Sequence, residues 1–554
     1  MNFILYSDIG ESAINKSLGL PEYSYYFVLK AFRTVLEELG TVSLVQHPET
    51  EVDPLFDACR QRGEECVFLS FSPPNKTLID LKCPTLSVFA WEYSNIPDEI
   101  WDEDRRNDWR VVFGSHGRAI TLSSYTARTV KDAMGAEFPV LAVPAPLWEQ
   151  FAGARTRFGA SLPPMQSELR LHGTVIDSHL LGLSADGLIA HIAFPAVEEE
   201  MAPPSPAQPP LPTVVQAEAP SEPAAVDRSV HYRLAVTKRH MLNWYREALR
   251  DLLPLWLARA VSASGRGGAA LGRAVLGYER RPVPVQEEAE PLPATPAALA
   301  SSASSTPLEP EALVNLSGVV YTSILSPKDG RKNWFDMVTA FCWTFREVED
   351  VTLVLKMNER DLSLYHNTLL TLLSQLAPFK CRVLTLHAYL DDATYEELIG
   401  ATSYYVNTSL CEGLCLPLME FMCCGKPVIA PLHTAMEDYV DDGAAFIVKS
   451  SLEHNVWPHD PRDLFRTLRY RLDWESICDA YKDSYRGLKQ QPEQYLAMSK
   501  HAMARMQSYA SGAVVKEQLR SFFQLEEEGA MLAQPPHAAR ATGSPMALSG
   551  AAAR

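Results

Sequence analysis

Apolar residues in the first 150 positions fall in short runs: NFILYSD, TVSLVQ, ECVFLSF, TLSVFAW, WRVVFG, AITLSS and VLAVPAP. Between the first two, YYFVLKAFRTVLEELG spaces its large apolar residues at a helical period, and a further helix is expected from Tyr125 to about Met134. Strand-length runs rich in Val, Leu and Phe that alternate with helical periods predict a parallel sheet covered on both faces. Residues 1–160 are therefore expected to form a doubly wound, Rossmann-like domain.

The pattern returns at GVVYTSIL and continues through a helix from Trp334 to Phe345, VTLVLKM, a helix around Tyr365 to Leu376, CRVLTLHAY, and a helix from Ala393 to Ile399. SYYVNTS, the turn and helix of CEGLCLPLMEF, KPVIAP and AAFIVKS complete a second Rossmann-like unit over residues 311–485. Helical segments are expected from Asp460 to about Gln524, ending in C-terminal helices over 486–526. The Ala-, Gly- and Pro-rich stretch 527–554 is expected to be a disordered tail.

Residues 196–310 break the pattern. Met201 to Ala225 and Pro282 to Pro310 consist largely of Pro, Ala, Ser and Glu, a composition that buries too little apolar surface to offset the entropy of ordering, and so predicts linkers. They bracket a basic segment, 228–281, with eleven Lys and Arg against three acids. Leu242, Tyr245, Leu249, Leu252, Leu253 and Trp256 follow helical spacing there, with Trp244 alongside and Pro254 placed to kink the helix. Such a helix either covers another domain or lies on an anionic membrane surface, and both readings stand.

The whole chain has the opposite charge. Its 554 residues carry 50 Lys and Arg against 68 Asp and Glu, a formal charge of -18, which argues against nucleic acid as a partner. The ten cysteines form no CxxC pair and Cys411 with Cys415 lacks a second ligand pair, so buried reduced thiols are expected and no metal site. Asp102-Glu103-Asp104 imitates an acidic metal motif but sits in an exposed-looking acidic run. MNFILYSDIG has neither the basic nor the long apolar region of a secretion signal, and no apolar run reaches the length of about 18 residues that a spanning helix requires. The expected location is cytoplasmic, with peripheral contact at the inner face of the membrane as a second option.

Candidate chemistry concentrates in residues 411–431. Glu412 precedes a Gly-Leu-Cys-Leu-Pro turn after an expected strand, and Glu420 lies eight residues on in the helix that follows. Open parallel sheets take ligands at the carboxyl ends of their strands. Free amides in a helix's first turn favour a phosphate, and a carboxylate accepts both hydroxyls of a vicinal diol. Two carboxylates flanking such a helix suit a ligand built as diol, diphosphate, diol, which describes a nucleotide sugar.

Glu412-Gly-Leu-Cys-Leu-Pro-Leu-Met-Glu420, Cys424-Gly-Lys-Pro-Val-Ile-Ala and Glu437-Asp-Tyr-Val-Asp-Asp-Gly resemble, in letters and spacing, the E-x7-E region of retaining GT-B glycosyltransferases. That group is the glycosyl transferases group 1, or glycosyltransferase family 4. SPKDGRKNWFDMVTAF, YLDDATYEELIGATSYYVNTS and DLFRTLRYRL extend the resemblance over about residues 315 to 525, with ITLSSYTARTVKDAMG as a weaker echo in the first domain. The resemblance implies an α/β GT-B fold, two Rossmann-like domains facing across a cleft, and retaining transfer of a sugar from a nucleotide-sugar donor, UDP- or GDP-linked. It implies no other cofactor.

By that resemblance Glu420 binds the ribose diol and Glu412 contacts donor-sugar hydroxyls. Gly413, Leu414, Cys415 and Leu416 bring backbone amides to sugar or phosphate, and His387 and Tyr389 lie where the base is expected. Lys332, with Arg331 beside it, neutralises the diphosphate; Lys328 is a reserve candidate. A saccharide or lipid-linked saccharide acceptor in bacterial exopolysaccharide, lipopolysaccharide or glycolipid synthesis is implied. Glu92, Trp91 and Gly10 are candidates on the acceptor side, Glu92 being equally readable as structural. The chain departs from the family at Cys415, where a glycine is usual. It departs again at the adjacent Arg331-Lys332, where the family spaces its basic pair. A noncatalytic glycan-binding or scaffold protein with the same shell is the alternative.

Overall fold

Six of the apolar runs become the strands of a first sheet: β1 (Asn2–Tyr6), β2 (Thr41–Leu44), β3 (Cys66–Ser70), β4 (Thr85–Phe89), β5 (Ala119–Thr121) and β6 (Val140–Ala142). All pair in parallel, in the order β2-β1-β3-β4-β5-β6. The computed structural model describes residues 1–10, 23–181, 311–359 and 361–525. The expected linkers, the basic segment 228–281 and the expected tail 527–554 lie outside the described residues, as does the loop after β1.

Helices α1 (Tyr23–Glu37), α2 (Pro48–Gln61), α3 (Trp109–His116) and α4 (Ser124–Met134) complete this unit, and the short α5 (Ala152–Phe158) leads out of it. WRVVFG, expected as a strand, is helical. Trp109, Val112 and Phe113 bury one helical face, the Asp108 side chain accepts from the Arg110 amide at the N-cap, and Gly117 closes the helix at φ 73°. Those end signals outweigh the β-rich composition of the run.

The second sheet contains β7 (Gln166–Asp177), β8 (Glu311–Ser317), β9 (Val319–Leu325), β10 (Val351–Met357), β11 (Arg382–Ala388), β12 (Tyr404–Val406), β13 (Val428–Pro431) and β14 (Ala445–Val448). Its order is β14-β13-β12-β9-β10-β11-β7-β8. The six strands from β14 to β11 are parallel, and β9 and β10 are buried along their whole length, as a sheet covered on both faces requires. The β7 strand joins antiparallel to β11 and pairs antiparallel with β8, His172 opposite Glu311. Arg382 ties this edge together, with Asp177 at 2.6 Å and the Asn315 carbonyl at 2.5 Å.

Helices α6 (Trp334–Thr344), α7 (Ser363–Leu376), α8 (Asp392–Ala401) and α9 (Leu416–Cys423) cover the second sheet. DLFRTLRYRL, expected as helix, supplies instead the strand β16 (Arg466–Leu472), which pairs antiparallel with β15 (Ser450–Val456). Pairing decides this: all seven residues of β16 are in antiparallel register with β15, and exposed Arg466 and Leu468 flank buried Thr467. The long α10 (Trp474–Gln490) and α11 (Pro492–Ala510) follow. Then α12 (Gly512–Phe523) returns to the first sheet, where Phe523 meets Phe3 edge-on at 5.5 Å and Lys516 pairs with Glu38 at 2.7 Å. The expected two Rossmann-like units are thus present and tied together by the chain's last described helix. Among the described residues, no helix is long and apolar enough to cross a membrane.

Candidate functional site

In the second sheet, chain order runs outward from β9 through β10 to β11 on one side, and from β12 through β13 to β14 on the other. The loops after β9 and β12 therefore diverge and leave a crevice at their carboxyl ends, the switch point at which open α/β sheets place ligands. The loop after β9 carries Arg331 and Lys332 on a single 3-10 turn, Gly330–Lys332, in which the Arg331 amide is capped by the Asp329 side chain. The loop after β12 carries Glu412.

The two loops meet through charge. The carboxylate of Glu412 is 3% exposed and receives Lys332 Nζ at 2.6 Å on Oε1 and Arg331 Nη1 at 2.8 Å on Oε2. Ser409 Oγ donates to Oε1 at 2.6 Å. Burial works to raise the Glu412 pKa, but Lys332 and Arg331 together outweigh it and hold the carboxyl well below the usual carboxylate range. Arg331 Nε also meets Asp329 at 2.9 Å and, across the domain boundary, Glu92 at 3.3 Å. Glu92 itself has a raised pKa, because burial outweighs the attraction of Arg331.

Backbone strain converges on the same carboxylate. Asn333, directly after Lys332, has φ 50°; Cys415 has φ 67°; Thr434, whose Oγ1 accepts from the Glu412 amide at 3.0 Å, has φ 53°. A positive φ is unfavourable for any side chain and most so for a β-branched one. At Cys415, where the resemblance leads one to expect a glycine, the turn requires left-handed backbone, and this chain meets the requirement with a buried thiol bonded to Asn407 Nδ2 at 2.9 Å. Burial pushes that thiol up to about 12. Cys415→Gly is expected to change stability by no more than about 1 kcal/mol, as relief of strain offsets lost packing and added chain entropy. Urea unfolding measures this, and a donor-selectivity panel on the same variant reads the space that the thiol occupies.

Glu420 is chemically different from Glu412. It lies on α9, partly buried, and accepts a hydrogen bond from the Tyr395 hydroxyl of α8. Burial raises its pKa to about 7, the Tyr395 bond opposing and Asp392 adding to the rise. Tyr23, at the start of α1 in the first domain, is within electrostatic reach of both Tyr389 and Glu420. Glu420, Tyr395, Tyr389 and Tyr23 thus share one region, with an aromatic wall supplied from both domains.

The structure brings together Glu412, Arg331, Lys332, Glu92 and the Gly413 to Leu416 turn. A Cβ on Gly413 would lie 2.8 Å from Ala90 Cβ and 3.0 Å from Trp91 N, so the turn rests directly on the first domain and only glycine fits. The Leu414 carbonyl accepts from Tyr439 at 2.6 Å. The indole of Trp91 points elsewhere, into an aromatic cluster with Trp109 at 4.6 Å and Trp457 at 5.4 Å. His387 bonds the Glu359 carbonyl at 2.6 Å and faces Tyr365. Gly10 is exposed at the last residue described before the undescribed loop. Lys328 has no bond to Glu412; its place there is taken by Arg331 and Lys332. Tyr395, Asn407, Ser409 and Thr434 are additional members of the site. The polar triplet Asn407-Thr408-Ser409 at a strand end was their one visible sequence signal.

Asp438 of the second domain clasps the N-terminus of α4, accepting from the Ser124 amide at 2.7 Å and from its hydroxyl, while Glu437 pairs with Arg128 at 2.8 Å. Within the second domain, the cavity that Lys332 shares with Ser323, Tyr405 and Asn407 is about 10 Å³, room for one water. Among the described residues no cluster of His, Cys, Asp and Glu could hold a metal ion. Asp104 pairs with Arg106 at 2.8 Å instead.

No family model and no curated protein matches the chain. Among solved structures, a glycosyltransferase from Rickettsia africae ESF-5 aligns at 7% identity and TM-score 0.44, covering 95% of this chain and 99% of that one. HepE from Anabaena in complex with UDP and glucose aligns at 11% identity and TM-score 0.42, with the same coverage. Likenesses this distant carry neither fold nor function; both rest here on the strand order and the site.

Proposed function

We propose that the protein is a nucleotide-sugar-dependent glycosyltransferase. The reading is carried by one observation: Glu412 is held ionised against Arg331 and Lys332 at the switch point of a parallel sheet, while Glu420, eight residues on, presents a separate carboxylate beside an aromatic wall. In this reading, as the resemblance implies, Glu420 takes the ribose diol and Glu412 the donor sugar. Lys332 and the amides opening α9 stabilise the departing nucleoside diphosphate, an electrostatic assistance that grows as charge develops on the leaving oxygen. Sugar transfer then proceeds with retention to an acceptor hydroxyl on the first-domain side, where Glu92 faces Arg331. A hexose from a UDP- or GDP-linked donor and a saccharide or lipid-linked saccharide of a bacterial surface polymer complete the reading. The setting is the cytoplasm or the inner face of its membrane.

The second reading, a noncatalytic shell, is favoured by the close packing of Gly413 on Ala90 and Trp91, which a working transferase must open. One experiment separates the two. A panel of UDP- and GDP-sugars is titrated calorimetrically and then incubated with lipid and saccharide acceptors, release of free nucleoside diphosphate being measured. Binding with release supports the transferase; binding without release supports the shell; no binding by any donor sinks both.

A further inference from the structure

The cations that the resemblance assigns to the diphosphate are already committed. Arg331 contacts Glu92, Asp329 and Glu412, and Lys332 contacts Glu412, so three carboxylates face two cations. Even with Glu92 protonated the cluster carries no positive surplus, and a diphosphate brought to it meets a neutral or negative field.

An uncommitted cation lies one strand away. Lys356, at the carboxyl end of β10, is 5% exposed, and among the described residues its ammonium bonds only the Asn358 side chain. It stands in register with Ile324 of β9 and Leu386 of β11 and shares their sheet face. The Ile324 amide and carbonyl both meet the Tyr405 hydroxyl at 3.4 Å. Tyr405 in turn is within electrostatic reach of Cys415, Glu412 and Glu420. Lys356 therefore lies on the central strand, on the face toward which the two site glutamates converge. Burial, opposed by no carboxylate, lowers its pKa to about 8. A lysine without a counter-ion in such a place destabilises the fold, and nothing in the packing of Ile324 and Leu386 requires a charge.

We infer that Lys356 recognises the donor's diphosphate alongside Lys332, supplying the net positive charge that the Arg331-Lys332 pair lacks while Glu412 neutralises it. The inference rests on the nucleotide-sugar reading and adds to it a specificity-determining residue outside the signature turn and its basic pair.

The test compares wild type, Lys356→Met and Lys356→Gln in calorimetric titrations with UDP, GDP and the nucleosides uridine and guanosine, alongside thermal unfolding. Both variants are expected to lose about 30-fold in affinity for the diphosphate, the scale of one charge-assisted hydrogen bond. Nucleoside affinity should stay unchanged and the Tm should equal or exceed that of wild type. A structural lysine predicts the reverse, a lower Tm with diphosphate affinity intact. Diphosphate affinity within about threefold of wild type in the glutamine variant, which keeps a polar partner for Asn358, overturns the inference while leaving the transferase reading in place. Failure of the wild type itself to bind either diphosphate overturns both.

Discussion

Glu412→Ala is expected to lose about 3–5 kcal/mol of stability, because truncating one partner of a buried ion pair leaves the other charge without compensation. Here Lys332, at 17% exposure, loses its counter-ion, and Arg331, at 22%, keeps Asp329 and Glu92 but loses the nearest and most buried of its carboxylates. The Ser409 hydroxyl loses its acceptor as well. Glu412→Gln retains an acceptor for Ser409 and should be milder. The pH dependence fixes the cause. The folded pKa of Glu412 lies below the ordinary 4.5, so its contribution is fully present above that value and fades as pH falls through it toward the folded pKa. Urea unfolding at pH 7 and at progressively lower pH should show the gap between wild type and Glu412→Ala narrowing below about pH 4.5. A gap under about 1 kcal/mol at pH 7 would mean that the carboxylate is not the counter-ion of the pair.

Glu420→Gln is expected to act in the opposite sense on stability while weakening donor binding. With a folded pKa of about 7 against 4.5 for an unperturbed glutamate, Glu420 favours folding in its protonated form. That contribution is complete below pH 4.5 and is lost as pH rises through 7, where the folded protein must hold a carboxylate that burial disfavours. At pH 8 the penalty reaches at most about 3 kcal/mol, taking 1.36 kcal/mol per pKa unit. Glutamine removes it and still accepts from Tyr395. Thermal unfolding from pH 5 to 8 should show the variant gaining on wild type as pH rises. Parallel curves would refute a perturbed Glu420. Calorimetry on the same proteins should show nucleotide affinity reduced at least about tenfold, as expected where a charged acceptor of two hydroxyls becomes a neutral one. A variant more stable and less able to bind marks a residue kept for function.

The legible parts of this chain are those where chemistry and spacing coincide. The signature turn could be read because Gly413, Cys415 and Pro417 announce a strand-to-helix turn with acids on either side, and the structure adds only the left-handed φ of 67° at Cys415. The two sheets were legible from buried runs such as VVYTSIL and VTLVLKM. WRVVFG and DLFRTLRYRL misled for complementary reasons: the first hides a helix behind β-branched residues, and the second hides a strand behind helix-forming Arg and Leu. In each, capping or pairing by distant residues decides. Strand β7 was not readable as part of the second sheet, since its partners, β8 and β11, are far along the chain. The mutual pairing of Glu412 with Arg331 and Lys332 was equally hidden, because sequence shows which residues carry charge but not that two loops of one sheet, some 80 residues apart, pair them with one another. Lys356 reads in sequence as the polar end of an apolar run.

The pairing of β7 with β8 has a further consequence for how the molecule can change over time. The chain leaves the sheet beyond Asp177 and re-enters it at Glu311, opposite His172, so everything between is topologically the connection of a hairpin whose stem is fixed by its own register and by Arg382. The entropic cost of closing such a connection grows only with the logarithm of its length, about 0.6 kcal/mol for each doubling. The length of the connection 182–310 can therefore change at little cost to the stem, and the crevice around Glu412 does not depend on it.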